Sequence, residues 1–576
     1  MTTSLEAAES ILTVDLGSVT TRAALFDIVE GRYAFVAAAS TPATINAPFR
    51  DVTTSLLDAL EMLSRITGRL FVDDKRMLIH PSRPDGSGVD MVVMTFTASP
   101  ELRILTAGLG EISLASAESL AATASGHIVE TISLGDHRSP EEQISAIVNA
   151  RPDLIIFSGG MDNGASRSVF KVAEQLMFAC RLLPESQRPV ILYTGNQQLA
   201  SRIADVLGRQ TKVVTAPNIQ SEIGVESLAP SQEIYGELLC DIRSRQIGGF
   251  QKIASVCGVP PQPAEHTLGR MVRFLSRVYD PAKGVLGVDI GASHTTAAAA
   301  VGGDLTLNVL PVGLGTSLPR LLEQVTAEEV ARWSPIHLSA EDVRDHFWQK
   351  SLYPALVPVT REDLAMEQAA ARVLLKLSAA ALRTRKVDLP QSFEPVIAGG
   401  AVFTRAASPA QALLTLIDGL QPVGVTTFIL DLHGLMSGLG AAAKANAVLP
   451  VQVMESGAFA NLGTVISPLC SARTGVKGIH VRMETIQGDD FNLEVTQGDI
   501  VRIPLPPGQA ATIHLEPMNG ARIAVSGRHG SQSVKISGGM CGAVIDTRGR
   551  PLKLPGDDAR RADLFAKWLQ DLEQPN

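Results

Sequence analysis

Near the middle of the chain, Gly287-Val288-Asp289-Ile290-Gly291-Ala292-Ser293-His294-Thr295-Thr296 sets a carboxylate, a glycine and a run of hydroxyl side chains at the end of an apolar stretch. Thr13-Val14-Asp15-Leu16-Gly17-Ser18-Val19-Thr20-Thr21 repeats the pattern near the start. Glycine lets backbone N–H groups approach a phosphate, Ser and Thr hydroxyls add hydrogen bonds, and the Asp suits a hard cation such as Mg²⁺ or its water. Asp-Gly-Ser chemistry by itself also makes an ordinary hairpin turn, and one copy would leave the two readings level. Two copies in the same context favour binding, with a nucleotide clamped by two facing hairpins.

The elements that must position these residues are short apolar runs punctuated by glycine. The first copy continues as Arg22 to Ile28, turns at Glu30-Gly31 and returns as Tyr33 to Ala38. The second continues as Ala297 to Val301, turns at Gly302-Gly303-Asp304 and returns as Leu305 to Val312. Each reads as strand, turn, strand, turn, strand. No helix follows the glycine, which separates the motif from Rossmann and P-loop sites, where phosphate rests on a helix N-terminus.

A chain of 576 residues exceeds one core, so about three or four domains are expected. The net charge of −9 argues against nucleic acid as the main partner. Five cysteines (Cys180, Cys240, Cys257, Cys470, Cys541) without a C-x-x-C pair fit a reducing compartment and exclude an obvious zinc or iron–sulfur site. Met1 to Glu9 has no basic-then-apolar leader pattern, and no uncharged apolar stretch is long enough to span a bilayer, so a cytoplasmic protein is expected.

Between about 90 and 215 strands alternate with helices, starting from Met91 to Thr95, which implies a parallel, doubly wound sheet. Ligands on such sheets sit at the carboxyl ends of strands, and this points to Ser158, Gly159, Gly160 and Asp162 in Ser158-Gly-Gly-Met-Asp-Asn-Gly164. Glycines that merely turn the chain are the alternative. Residues 216–284 and 317–390 read as mainly helical. Phe393 to Val402 is an apolar strand running into Gly399-Gly400, where a flat base or ribose could lie against bare backbone. Beyond about 450, short β-branched segments spaced by Gly, Asp and Pro suggest a small β-sandwich or barrel, closed by a helix at Arg560 to Leu572. That part is expected to be separable, leaving a soluble chain that ends near Val448.

The order of D-x-G-S-x-T-T hairpin, second D-x-G hairpin and late strand-Gly-Gly resembles the actin-like ATPase superfamily, built on ribonuclease-H-like domains. Within it, residues 11–445 are similar to the glutamate-mutase-associated accessory family of MutL/GlmL type. Arg151 to Gly164, Ala216 to Gly224, Val288-Asp-Ile-Gly-Ala292 and Val396-Ile-Ala-Gly-Gly400 carry that likeness. The resemblance implies an α/β fold with two ribonuclease-H-like halves, a doubly wound α/β segment and a C-terminal all-β domain. Its divisions are a first hairpin region at 1–90, the α/β and helical segment at 91–284, a second lobe at 285–450 and the β domain at 451–576.

It further implies ATP and Mg²⁺ as cofactors and a partner among coenzyme-B12-dependent mutase subunits. Asp15 and Asp289 would hold the metal; Gly17, Ser18, Thr20, Thr21, Gly291, Ala292, Ser293 and Thr295 would line the phosphates; Gly399 and Gly400 would flank the nucleoside. Thr296 stands where the family usually has Asp, and Thr97 to Pro100 lacks the expected glycine-rich pattern, which leaves binding in place and weakens the case for hydrolysis. No catalytic base is evident. A nucleotide-binding scaffold without turnover and a small-molecule kinase are the other readings.

Overall fold

The computed structural model of the chain describes residues 8–97, 100–164, 166–222, 224–470, 475–485, 490–525, 528–529 and 531–573. The leader comparison over residues 1–7 and the Ala98-Ser99 part of the Thr97 to Pro100 segment lie outside the described residues. The chain divides into two compact units, Met1–Ala23 with Ala39–His266, and Ala24–Ala38 with Thr267–Asn576.

Near the start of the chain, β1 (Ile11–Leu16), β2 (Thr20–Val29), β3 (Arg32–Pro42) and β4 (Met91–Phe96) build one sheet. Between β3 and β4 lies the helix Val52–Thr67. Asp51 caps it by accepting from Thr53 N, and Gly68 ends it in the left-handed conformation at φ 74°. After β4 the chain leaves this sheet and builds another from β5 (Arg103–Gly108), β6 (His127–Ser133), β7 (Leu154–Phe157), β8 (Val190–Tyr193) and β9 (Val213–Thr215). That sheet is parallel throughout, in the order β6-β5-β7-β8-β9. Its core joins Leu105, Ile155, Phe157, Ile191 and Tyr193 to Val169, Leu176 and Ile203 on the intervening helices. The chain then returns to the first sheet as β10 (Gln262–Pro263), completing the order β10-β4-β1-β2-β3.

The doubly wound segment is therefore an insertion into the first ribonuclease-H-like sheet. Met91 to Thr95, read from sequence as its opening strand, instead pairs with β1, with Asp15 opposite Thr95. A division at residue 90 thus cuts through a single sheet. A short apolar run shows that a strand exists and not which sheet it joins.

In the second unit, β11 (Gly284–Ile290), β12 (Thr295–Val301), β13 (Asp304–Leu310), β14 (Phe393–Gly399), β15 (Gly424–Leu430) and β16 (Ala460–Ser467) belong to one sheet. The chain continues through β17 (Lys477–Thr485), β18 (Asp490–Thr496), β19 (Ile500–Ile503), β20 (Ala510–Pro517), β21 (Ala524–Val525), β22 (Arg528–His529), β23 (Gln532–Ser537) and β24 (Ala543–Asp546). The main sheet has eight strands in the order β13-β12-β11-β14-β15-β16-β24-β19. Its first five positions repeat the order of the first sheet, with β11 and β12 antiparallel and β11, β14 and β15 parallel. Two sheets with this order, each started by a D-x-G strand, are the actin-like ATPase fold.

One face of the eight-stranded sheet packs against the helices Arg361–Arg385, Pro409–Leu420 and Asp558–Glu573. The long first of these starts with a capping box in which Thr360 and Asp363 satisfy each other's backbone N–H groups. The opposite face, through Val425 and Ile466, packs on Ile479, Val481, Ile513 and Leu515 of the four-stranded antiparallel sheet β18-β17-β20-β23.

Of the two forms expected beyond 450, no barrel is present among the described residues, and a separate antiparallel sheet packs face to face on the main one. Of the late strands, β16, β24 and β19 extend the main sheet, and the four-stranded sheet lies on its outer face. Among the described residues no helix is long and apolar enough to cross a membrane.

Candidate functional site

The central motif folds as its residue types suggest. β11 ends at Ile290, Gly291 N donates to His294 O at 3.0 Å to close the turn, and β12 returns. The early copy makes the same bond, Gly17 N to Thr20 O at 3.0 Å. The two motifs therefore share a backbone turn as well as a sequence pattern.

Asp289 lies between Thr296 on β12 and Gly399 on β14. A Cβ at Gly399 would stand 2.5 Å from Asp289 Oδ1, so any side chain there would displace the carboxylate. Gly400 has φ 110°, and a Cβ there would stand 2.4 Å from Ile290 O. Both conditions require glycine. The Gly pair thus has a specific task, which is to let β14 end directly beside the carboxylate and turn of β11.

A loop after β13 that sequence reasoning missed braces the turn. A Cβ at Gly313 would meet Gly291 O at 2.4 Å, and one at Gly315 would meet Ala292 Cβ at 2.8 Å. Leu314 N donates to Gly291 O, and Ser317 Oγ donates to Ser293 O at 2.6 Å. The spacing Gly313-x-Gly315 straight after a strand was the available signal. Thr295 is fully buried and its hydroxyl donates to Val312 O at 2.8 Å, so that hydroxyl supports the turn. Ser293 Oγ lies 3.0 Å from His294 Nδ1.

Asp431, also missed, follows β15. Its carboxylate accepts from Leu435 N and Met436 N, both at 2.8 Å, and so caps the small-residue helix Leu435–Ala442.

In the first hairpin, Asp15 Oδ1 accepts from Thr95 Oγ1 at 2.7 Å. Thr95 is thus the parallel-register counterpart of Gly399, and the two carboxylates differ in what their neighbouring strand supplies. Ser18 is buried and Thr20 exposed, while Thr21 points inward, its hydroxyl 2.8 Å from Ser55 Oγ.

The Ser158 loop follows β7 at the carboxyl edge of the inserted sheet, where sequence located it. Neighbouring loops use most of its polar groups. Gly159 O accepts from Asn196 N, Gly160 O from Asn218 Nδ2, and Asp162 Oδ1 from both Gln197 N and Asn218 Nδ2. Ser158 Oγ is buried without a partner among the described residues.

Among the described residues no three His, Cys, Asp or Glu side chains are close enough to hold a metal ion together. A single carboxylate per hairpin fits Mg²⁺, which takes one or two protein carboxylates and completes its shell from phosphates and water.

Residues 11–457 match the model of a family described as MutL protein. No curated protein matches the sequence. Among solved structures, the ATP-dependent caprolactamase from Pseudomonas jessenii is 11% identical, with 84% of this chain and 81% of that one covered and a TM-score of 0.30. A diol dehydratase-reactivating factor in nucleotide-free form is 11% identical over 78% and 99% of the two chains, with a TM-score of 0.28. The ethanolamine utilization protein EutJ from Carboxydothermus hydrogenoformans is 11% identical over 75% and 89%, with a TM-score of 0.26.

Proposed function

The chain belongs to the MutL protein family, and from that premise we propose that it is an ATP-binding accessory protein serving a coenzyme-B12-dependent mutase of the glutamate/methylaspartate type. The observation that carries the nucleotide reading is the seat of Asp289 against Gly399, in a turn whose backbone bond recurs at Asp15. In this reading Asp289 and Asp15 hold Mg²⁺ or its waters. The N–H groups around Gly291 and Gly17, with the Ser293, Ser18 and Thr20 hydroxyls, donate to phosphate oxygens. Gly400 keeps backbone bare beside them. Bound Mg²⁺-ATP would supply a polyphosphate whose charge those donors and carboxylate-held metal offset.

Calorimetry with Mg²⁺-ATP tests this directly. Asp289→Ala and Asp15→Ala should each weaken binding about tenfold to a hundredfold, the scale of one lost charge-assisted contact, with circular dichroism showing both variants folded. Gly399→Ala should weaken it too by pushing the carboxylate aside. Unchanged affinity in both Asp variants would sink the assignment. Association with the mutase is tested by co-purification with and without ATP.

One observation favours a second reading, a nucleotide-dependent scaffold with little turnover. The residue directly across from Asp289 is Thr296, buried at 2% exposure, where a carboxylate would organise metal and water. Thr296→Asp is expected to raise phosphate release under saturating Mg²⁺-ATP by about two orders of magnitude. Without Mg²⁺ the same variant should melt lower, because two carboxylates then face each other across a strand pair. Brisk wild-type hydrolysis that Asp289→Ala abolishes would refute the scaffold reading.

A further inference from the structure

The link between the helix Ala340–Leu352 and the long helix Arg361–Arg385 reads Tyr353-Pro-Ala-Leu-Val-Pro-Val-Thr360. It carries no charge, whereas loops are ordinarily polar and a run of exposed apolar residues is a defect unless it has a use. Tyr353, Leu356, Val357 and Val359 are all exposed, Val359 at 91%. Trp348 and Leu352, one helical turn apart, add exposures of 62% and 72% on the helix face turned away from the buried Val343 and Phe347. A surface helix normally turns polar residues that way.

The loop is held in shape. Leu356 N donates to Tyr353 O at 3.0 Å, closing a turn just past the helix end. Lys350, buried in the last helical turn, donates to Leu356 O and pairs with Glu367 of the long helix at 2.5 Å. Thr360 then caps the long helix by accepting from Asp363 N at 3.0 Å. These bonds tie the loop at its middle and its end, so the apolar side chains form one ordered surface.

The six large exposed side chains present roughly 700 Å², more than the largest patch of a typical monomer, about 300–600 Å². That approaches the roughly 800 Å² which each partner gives to a standard interface. Trp and Tyr are also the side chains enriched at interface centres. Charge decides the partner. The chain carries a net charge of −9, so two copies repel unless their contact is neutral. Between Phe347 and Thr360 the one charged residue is Lys350, already neutralised by Glu367. At the rim, exposed Arg344 and Asp345 precede the patch and exposed Arg361 and Glu362 follow it. A rim of one sign would repel its own copy, whereas two charges of each sign can pair with the same four on a second chain.

We propose that this surface joins two copies of the chain in an isologous dimer, the commonest closed assembly, with Trp348, Leu352 and Tyr353 of each copy at its centre. The proposal stands without the nucleotide reading.

The experiment is analytical ultracentrifugation of the full-length protein over a dilution series. Wild type should sediment as a dimer that dissociates on dilution. Trp348→Ala should raise the dissociation constant about thirtyfold or more, the scale of a central aromatic anchor. Val359→Asp, at a position too exposed to support the fold, should leave monomer throughout. Thermal melts of dilute, monomeric samples should coincide for all three proteins, since neither side chain belongs to the core. A wild type that is monomeric across the series overturns the proposal, as does a dimer that both variants leave intact. A monomeric wild type that retains a purified mutase subunit only while Trp348 is present also overturns it, and gives the surface to that partner.

Discussion

A chain ending at Val448 is expected to lose the cooperative folding of its second unit, giving insoluble protein or a species without dispersed methyl resonances. The cut removes β16, and with it the partner of the whole of β15 from Gly424 to Leu430. It also removes β24, β19 and the helix Asp558–Glu573. From the core that contains Leu286, Val288 and Ile290 it takes Leu462, Val465, Ile500, Cys541, Val544, Phe565, Trp568 and Leu572. At about 1.5–3 kcal/mol for each fully buried side chain, this is roughly 12–24 kcal/mol, at or above the whole stability of a domain, about 5–15 kcal/mol. The expectation from sequence was the opposite, a soluble remainder. Limited-proteolysis resistance together with a sharp calorimetric melt in the 1–448 protein would show that the sheet tolerates an open edge at β15.

The contrast between these two expectations shows which information is local. Asp-x-Gly with hydroxyls between two apolar strands is a short-range pattern, and both turns fold by a bond three residues long, from Gly291 to His294 and from Gly17 to Thr20. Those were legible. The neighbours of the two carboxylates were not. Thr95 and Gly399 are set opposite Asp15 and Asp289 by parallel pairing across about 80 and 110 residues, and Thr95 looks like any strand threonine. Gly399 drew notice only because a second glycine follows it.

The late segments are strands as read, and only their sheet membership was not legible, for the same reason. Ala543 to Ile545 and Ile479 to Met483 are both short and β-branched, yet the first joins the main sheet and the second its outer companion. Strand propensity reports a fit to a pleated surface and is silent on which surface. One further clue was available, since the helix Pro409–Leu420 is apolar almost all round and buried along its length. A helix of that kind needs cover on more than one side. The closing helix, through Phe565, Trp568 and Leu572, shares its core.

That cover includes charges, and replacing Asp546 by Asn is expected to cost about 3–5 kcal/mol. Asp546 is fully buried at the end of β24. Its carboxylate accepts from Arg548 Nε and Nη2 at 2.9 Å each and from Arg550 Nη2 at 2.6 Å. Arg548 in turn reaches Asp418 Oδ1 at 2.8 Å, and Arg372 Nε holds Asp418 Oδ2 at 2.9 Å. The guanidinium groups of Arg548 and Arg372 stack over Trp568 and Phe565 at 4.6 and 5.2 Å. Two buried carboxylates thus serve three arginines, and Arg372 Nη1 already has no partner among the described residues. Neutralising Asp546 leaves Arg548 and Arg550 undercompensated in a dry site, and removal of one member of such a set costs more than the intact set contributes. Burial pushes the Asp546 carboxyl up, but the charges of Arg548 and Arg550 outweigh it and hold the group well below its ordinary value of 3.8. Because the folded state releases this proton more readily than the unfolded one, the resulting stability is present above the ordinary value and drains away as pH falls below it toward the folded value. Urea unfolding monitored by tryptophan fluorescence should therefore show Asp546→Asn well below wild type at pH 7, with the gap narrowing below about pH 4. Equal midpoints at pH 7 would mean that the arginines find water or other acceptors when Asp546 is neutral, and that the network does not tie the closing helix to the sheet.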